Sequence, residues 1–325
     1  MINRRQLLTV SAAAAMTPGI FTAPALGQAW PARPVRLIVP YAPGGPTDAV
    51  ARLVAEPLSR IWGQQIVIEN RGGAGTNIGA EVVARSDPDG YSMLIGSGAL
   101  AINRNLYRSL SYDAVADFAP VSLICSFSFF MVVPMSLPVR SVQEFIAYAK
   151  ANKGKITYAS PGTGSPPHLG GELFKALAGV EMTHVPYRGG SPALTDLIAG
   201  RVDVTLLSGT SAELIRTGKI RGLAFSGTAR STALPALPTL AEAGVAGYEL
   251  SSWYGFFVPA KTPRPIVEKM SVGTRMALAD SRVSTRLDQL GYAISGSTPE
   301  QLAALLKSEI DKWAPIIKAA NIAVE

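Results

Sequence analysis

The chain has 325 residues, 48% of them hydrophobic and 16% charged, with 31 glycines and 24 prolines. That length holds two domains of ordinary size with a core in each, and the composition excludes a disordered chain. The net charge of +7 is scattered; without a basic block or an aromatic-interleaved stripe it gives no nucleic-acid surface, only a mild attraction for anions.

The first 29 residues read as a secretory signal. Met1–Arg5 is a short positive region, Leu7–Met16 an apolar, Ala-rich run, and Ala23-Pro24-Ala25 supplies small residues at A-x-A spacing. Cleavage fits after Ala25, Gly27 or Ala29. Arg4-Arg5 followed by Gln6-Leu7-Leu8 resembles a twin-arginine signal as well as an ordinary one, so either route to the periplasm stays open. Cys125 is the only cysteine, so an internal disulfide is impossible, and it is expected as a buried thiol.

Beyond residue 29, short β-branched runs alternate with amphipathic patterns. Val35–Pro40 predicts a strand that breaks at Pro43-Gly44-Gly45-Pro46. A helix follows from about Asp48, with Val50, Leu53, Val54, Leu58 and Ile61 on one face and Thr47 or Asp48 as its N-cap. Ile66–Glu69 is the next strand, then Asn70–Gly75 a loop, a helix to about Ala84, a turn at Asp87–Gly90 and a strand at Tyr91–Ile95. Val121–Val133 is one buried strand or two, too short for a membrane span.

The middle section repeats the theme. A helix at Val142–Ala151 and a strand at Lys155–Ala159 lead through Ser160–Ser165 into a helix from Pro167 to Ala178. Strands near Thr183–Val185 and Val202–Leu207 then flank a helix ending at Ala199. Strands at Leu223–Ser226 and Trp253–Val258 and two helices close the chain. This order predicts parallel sheets with helices on both faces. The C-terminal part holds too few strands for a third domain. It reads as a return into the first lobe: residues 30–124 with 226–325 form lobe 1, and 125–225 an inserted lobe 2.

Three strand-to-helix turns share one design: Tyr41–Asp48, Asn70–Asn77 and Ser160–His168, with Tyr187–Ser191 a fourth of similar form. Glycine lets a ligand approach main-chain N–H groups, and the following helix adds unpaired donors and the positive end of its dipole. Such turns lie at the carboxyl ends of strands, where open α/β sheets bind ligands. Taken singly, each reads equally as a plain tight turn. No nucleotide motif is present: Gly73-x-Gly75 is followed by Gly79, one residue too far for G-x-G-x-x-G. With two histidines, one cysteine and no H-E-x-x-H, neither metal nor cofactor is expected. A triad of Ser97 or Ser165 with His168 and an Asp is the weakly supported enzymatic alternative, because no G-x-S-x-G elbow carries it.

Pro40-Tyr41-Ala42-Pro43-Gly44-Gly45-Pro46-Thr47-Asp48 resembles the P-[FY]-x-P-G-G-x-x-D signature of the Bug family, the periplasmic substrate-binding proteins of tripartite tricarboxylate transporters. Further matches follow in order at Asn70–Gly75, Asp87–Tyr91, Asp117–Val121, Tyr158–Ser165 with His168-Leu169, Val185–Gly190 and Gly200–Asp203. The resemblance implies a type II periplasmic-binding fold, two α/β lobes closing like a flytrap on a small carboxylate or dicarboxylate, no enzymatic activity, and integral-membrane transporter subunits as partners of a monomer. It implies ligand contacts from Tyr41, Gly44, Gly45, Asp48, Ala74 and Gly75 in lobe 1, and from Thr163, Gly164, Ser165, His168 and Tyr187 in lobe 2. Ser97 is added from its strand end, and Asp203 as a contact or hinge-side residue. A ligand-sensing subunit of a signalling receptor is the alternative role.

Overall fold

The computed structural model describes residues 30–319, so the expected signal segment lies outside the described residues. In chain order the first part runs β1 (Val35–Val39), α1 (Pro46–Trp62), β2 (Ile66–Asn70), α2 (Asn77–Ala84), β3 (Ser92–Ser97), α3 (Gly98–Leu106) and β4 (Phe118–Ser128). The middle runs β5 (Phe130–Pro134), α4 (Val142–Ala151), β6 (Thr157–Ser160), α5 (Pro166–Ala178), β7 (Thr183–Pro186), α6 (Gly190–Ile198), β8 (Val204–Leu207), α7 (Ala212–Arg216) and β9 (Ile220–Phe225). The return is β10 (Ser251–Pro259), α8 (Arg264–Leu278), α9 (Ser281–Gln289), β11 (Ala293–Ile294) and α10 (Pro299–Ala319).

Two sheets result, one per lobe: β11-β4-β10-β3-β1-β2 and β7-β6-β8-β5-β9. Both are mixed where uniformly parallel sheets were expected. β2, β1 and β3 are parallel, but β10 runs antiparallel to β3 and β4 because it re-enters the first lobe from the second. The sheets carry fully buried residues such as Leu37, Ile95 and Phe256, and α4 buries Phe145. On α1, Val50, Val54 and Leu58 are fully buried as the periodicity requires, whereas Ile61 is exposed at the last turn. Cys125 is buried in β4, and burial pushes its thiol pKa up. No described helix is long and apolar enough to cross a membrane.

The lobe boundary sits slightly later than the sequence suggested. β4 stays in the first sheet to Ser128 and β5 starts the second at Phe130, so we place the outward crossing at Phe129 rather than after residue 124. Residues 231–250 pack on the second lobe: Leu240 N–H donates to Phe225 O (2.8 Å), and the Tyr248 hydroxyl donates to Gly170 O (3.0 Å). We therefore place the return crossing near Leu250 rather than at residue 226.

Ser226 ties the two crossings together. Its Oγ accepts from Phe129 N–H (2.8 Å) and donates to Leu250 O (2.7 Å), while its own N–H donates to Phe129 O (2.8 Å). All of this lies in a fully buried setting, so deleting the hydroxyl strands a donor and an acceptor. Ser226→Ala is expected to lower unfolding stability by about 1–3 kcal/mol in urea titrations; an unchanged midpoint at unchanged slope contradicts this role.

Candidate functional site

The loop after β1 is held by Asp48. Its Oδ2 accepts from Gly44 N–H (3.0 Å) and Arg52 Nε (2.9 Å), and its Oδ1 accepts from Arg52 Nη2 (3.1 Å) and Asn70 Nδ2 (3.0 Å). Burial works against the charged form, but Arg52, the Gly44 amide and Asn70 outweigh it and hold the carboxyl below its usual range. Asp48 is therefore a clamp behind the loop. The N-cap is Gly45, not Thr47 or Asp48, because Pro46 occupies the first helical position, where its missing N–H and fixed φ fit. Gly45 offers no side chain to the helix end, so the Thr47 and Asp48 N–H groups have no acceptor among the described residues.

From the opposite lobe, α6 begins in the same way. Its cap is Gly189, with no side-chain bond, and the Gly190 and Ser191 N–H groups have no acceptor among the described residues. The two helix tips meet head-on: a Cβ built on Gly45 lies 3.9 Å from Gly190 N, and one on Gly190 would lie 3.2 Å from Pro46 Cδ. Each tip carries roughly half a positive charge, so their approach is repulsive without an anion between or beside them.

The third tip departs from expectation. Pro166 and Pro167 open α5 and carry no N–H, and His168 N–H is taken by the carbonyl and Oγ of Ser165 (2.9 and 3.4 Å). Ser165 Oγ also donates to Gly162 O (2.6 Å), and His168 Nδ1 accepts from Gly164 N–H (3.2 Å). Donors are thus consumed internally at α5. The same bonds exclude the Ser165–His168 nucleophile–base pair of the hydrolase alternative.

Beside the α1–α6 junction lies a cavity of about 50 Å³ between the lobes, lined among others by Tyr41, Thr47, Ser97, Phe129, Ser252 and Tyr254. Among the described residues, not one charged side chain lines it. Its polar groups are hydroxyls: Tyr41 and Ser97 share a hydrogen bond (3.1 Å), and Thr47 Oγ1 donates to the Tyr254 hydroxyl (3.1 Å). Burial raises the Tyr41 pKa to about 12 and that of Tyr254 well above its ordinary value, so both stay protonated donors at neutral pH. An adjoining hollow of about 150 Å³ shares Gly45, Pro46, Gly190 and Leu207 and adds Gly44.

Of the expected contacts, Tyr41, Gly45, Ser97 and Ser165 line the cavity and Gly44 the hollow. Ala74, Gly75, Thr163 and Gly164 instead form the seam where the lobes touch. Gly73–Thr76 runs left-handed for four residues, and Asn103 Nδ2 donates to Gly75 O (2.7 Å). A Cβ on Gly75 would collide with the Thr163 carbonyl, and one on Gly164 with Asn103 Oδ1. A main-chain hydrogen bond links the lobes directly, Ala42 N–H donating to Arg188 O (3.0 Å).

Three expected contacts lie away from the cavity. The Tyr187 hydroxyl donates to Asp196 (2.8 Å). Asp203 accepts from the N–H and Oγ1 of Thr157 (2.8 and 2.9 Å), at the start of β6 and β8, whereas the cavity sits at their carboxyl ends. His168 stacks on His184 (centroids 4.0 Å), which is bonded to Ser160 Oγ (2.7 Å) behind the loop. The sequence reading missed Phe127, Phe129, Ser208, Ser252 and Tyr254, which come from the crossing segments and the end of β8. Nothing in a strand's own sequence marks it as a crossing strand, although strand-end serines were a usable signal.

The sequence matches the family described as "Tripartite tricarboxylate transporter family receptor" over residues 50–322. Among solved structures, the periplasmic binding protein BugD superposes with TM-score 0.89 at 35% identity, covering 91% of this chain and all of that one. A protein from R. palustris with adipate gives 0.87 at 41% identity over 90% of this chain and 99% of its own. MatC from Rhodopseudomonas palustris with bound malate gives 0.86 at 33% identity over 89% and 100%.

Two outcomes follow from this geometry. Burial holds the His168 pKa down at about 4 and, with His168 and Lys175 nearby, that of His184 at about 3. The unfolded chain takes up protons near pH 6.5, while the folded chain does not until far lower. Stability is therefore lost as pH falls from about 6.5 towards 4, by up to about 1.4 kcal/mol per pH unit for each histidine. Urea midpoints across this range should show the decline, with His184→Gln flattening it; a flat wild-type profile contradicts the assignment. Gly75→Ala should block the seam, so that scattering shows no ligand-induced contraction and ligand affinity falls at least about tenfold. Contraction equal to wild type contradicts the collision.

Proposed function

Since the chain belongs to the tripartite tricarboxylate transporter receptor family, the Bug-type periplasmic solute-binding proteins, we propose that it captures a small organic carboxylate or dicarboxylate between its lobes and delivers it to integral-membrane transporter subunits. The protein is a binding protein of the periplasm, not an enzyme. Export by the Met1–Ala29 segment and action as a monomer are part of the same reading.

One observation carries the ligand class: among the described residues, the tips of α1 and α6 converge with unpaired N–H groups beside a cavity that no charged side chain lines. Two tips of roughly half a charge each balance about one carboxylate. The neutral hydroxyls of Tyr41, Thr47 and Tyr254 add donors without adding charge. A cation would bring its own positive charge to a place already short of negative charge, and a neutral solute would leave the repulsion in place. The adipate and malate held by the two neighbours support the same class. Closure of the seam over the ligand supplies the conformational signal that membrane subunits read.

Binding should raise the stability of the mature protein by about 2.7 kcal/mol at ligand 100-fold over Kd. A thermal-shift panel is therefore expected to respond to carboxylic acids and not to their amides. Gly45→Val should abolish that response with the fold retained, since its backbone (φ −84°) tolerates valine while the added methyls obstruct the helix junction. Equal shifts for acids and amides, or an unchanged response in the variant, contradict anion capture at these tips. Loss of uptake of a responding acid on deletion of the gene tests delivery to a transporter.

A further inference from the structure

We propose that Arg71 and Arg188, one from each lobe, form a basic rim beside the seam that steers acids towards the cleft and sets their rate of capture. This rests on the carboxylate reading above, and concerns the ligand's approach where that reading concerns its grip. The helix tips act at short range only, since their field fades within about a turn. Among the described residues no charged side chain lines the cavity or the adjoining hollow. The pull on an acid still in solvent therefore comes from charges outside the pocket.

The two arginines are placed to supply it. Arg71 follows β2, and Arg188 precedes Gly189, the cap of α6. Across the seam Arg188 O accepts from Ala42 N–H (3.0 Å), and a Cβ on Gly72, the neighbour of Arg71, would stand 3.0 Å from the same carbonyl. The pair thus sits side by side where the lobes meet, and both side chains are exposed. Arg188 adjoins the α6 cap in sequence, so its field reaches the free donors there at 0.1 M salt, where screening acts over about 10 Å.

The acids near the rim are already spent. Asp48 is neutralised by Arg52, and Asp196 by Arg201 (2.8 Å). Glu69 lies 3.3 Å from Arg71 but is held at both oxygens by Arg36 (2.8 and 3.1 Å), so that trio keeps one positive charge uncompensated. Arg188 has no acidic partner among the described residues. Exposed charge at such a place governs association and its salt dependence more than the lifetime of the complex.

The test is stopped-flow tryptophan fluorescence of the mature protein mixed with adipate or with malate, at about 0.1 M and about 1 M salt, where screening acts over roughly 10 and 3 Å. Arg71→Gln combined with Arg188→Gln should slow association about threefold or more at the lower salt and hardly at the higher, with dissociation unchanged. Arg188→Lys should keep the wild-type rate, because steering needs the charge and not the planar fork. Lys155→Gln removes an equal charge just before β6, a strand roughly 13 Å long whose other end leads into the seam, and should leave the rate unchanged. An unchanged rate in the double variant, a loss equal at both salt concentrations, or a loss matched by Lys155→Gln overturns the rim while the carboxylate reading stands. Faster dissociation at an unchanged association rate also overturns it, since the arginines would then hold the ligand. Binding of neither acid by wild type overturns the carboxylate reading and the rim with it.

Discussion

The loop at the cavity depends on one buried carboxylate, Asp48, that lines no part of the cavity and is paired with a solvent-exposed Arg52. Asp48, neutralised by Arg52, spends all its acceptor capacity on the loop around it: the Gly44 amide, the Asn70 side chain and the guanidinium. A capping side chain at position 45 would consume the N–H groups of the helix tip. The clamp lets the loop keep its shape without one. Removing Arg52 is more damaging than the pair's net contribution suggests, since the Asp48 carboxylate is left buried without its counter-charge. The free donors at α1 are thus a product of constraint imposed from behind.

The same division of labour recurs across the cleft with different parts. The loop before α5 is held by Ser160, Ser165 and His168, all bonding inwards, and it presents bare backbone at Thr163 and Gly164 to the other lobe. At α6, glycine again takes the cap position and leaves donors free. Two loops of similar composition therefore do different work: one closes the seam, the other meets the ligand region. The stack of His168 on His184 links the first to acid sensitivity, chiefly through burial.

Much of this was legible in the sequence because local chemistry dictated it. The glycine turns, the apolar face of α1 through Leu58 and the alternation of strands and helices all rest on short-range rules, and they held. α3 was missed because Ser97-Gly98 reads as a strand end, and the antiparallel direction of β10 because a strand's partner is not written in its own residues. Two C-terminal helices were expected and three are present among the described residues: the boundary between α8 and α9 is only Ala279-Asp280, too short a break for periodicity to reveal. Asp203, His168 and Tyr187 carry polar groups suited to a ligand, yet each is satisfied by a neighbour that only the tertiary structure supplies. Conversely Phe129 and Ser252 are unremarkable as letters and acquire a role from the crossing they occupy.

The lobes meet through peptide groups, Ala42 on Arg188 and Gly75 on Thr163, with the Asn103 side chain set against Gly164. Main chain is common to every residue, so substitutions along the cavity wall leave this docking surface as it was. Paralogues can then diverge in what they carry by altering a few wall positions while inheriting the hinge movement unchanged. A motion encoded in the backbone gives evolution a mechanical module that it need not reinvent for each new cargo.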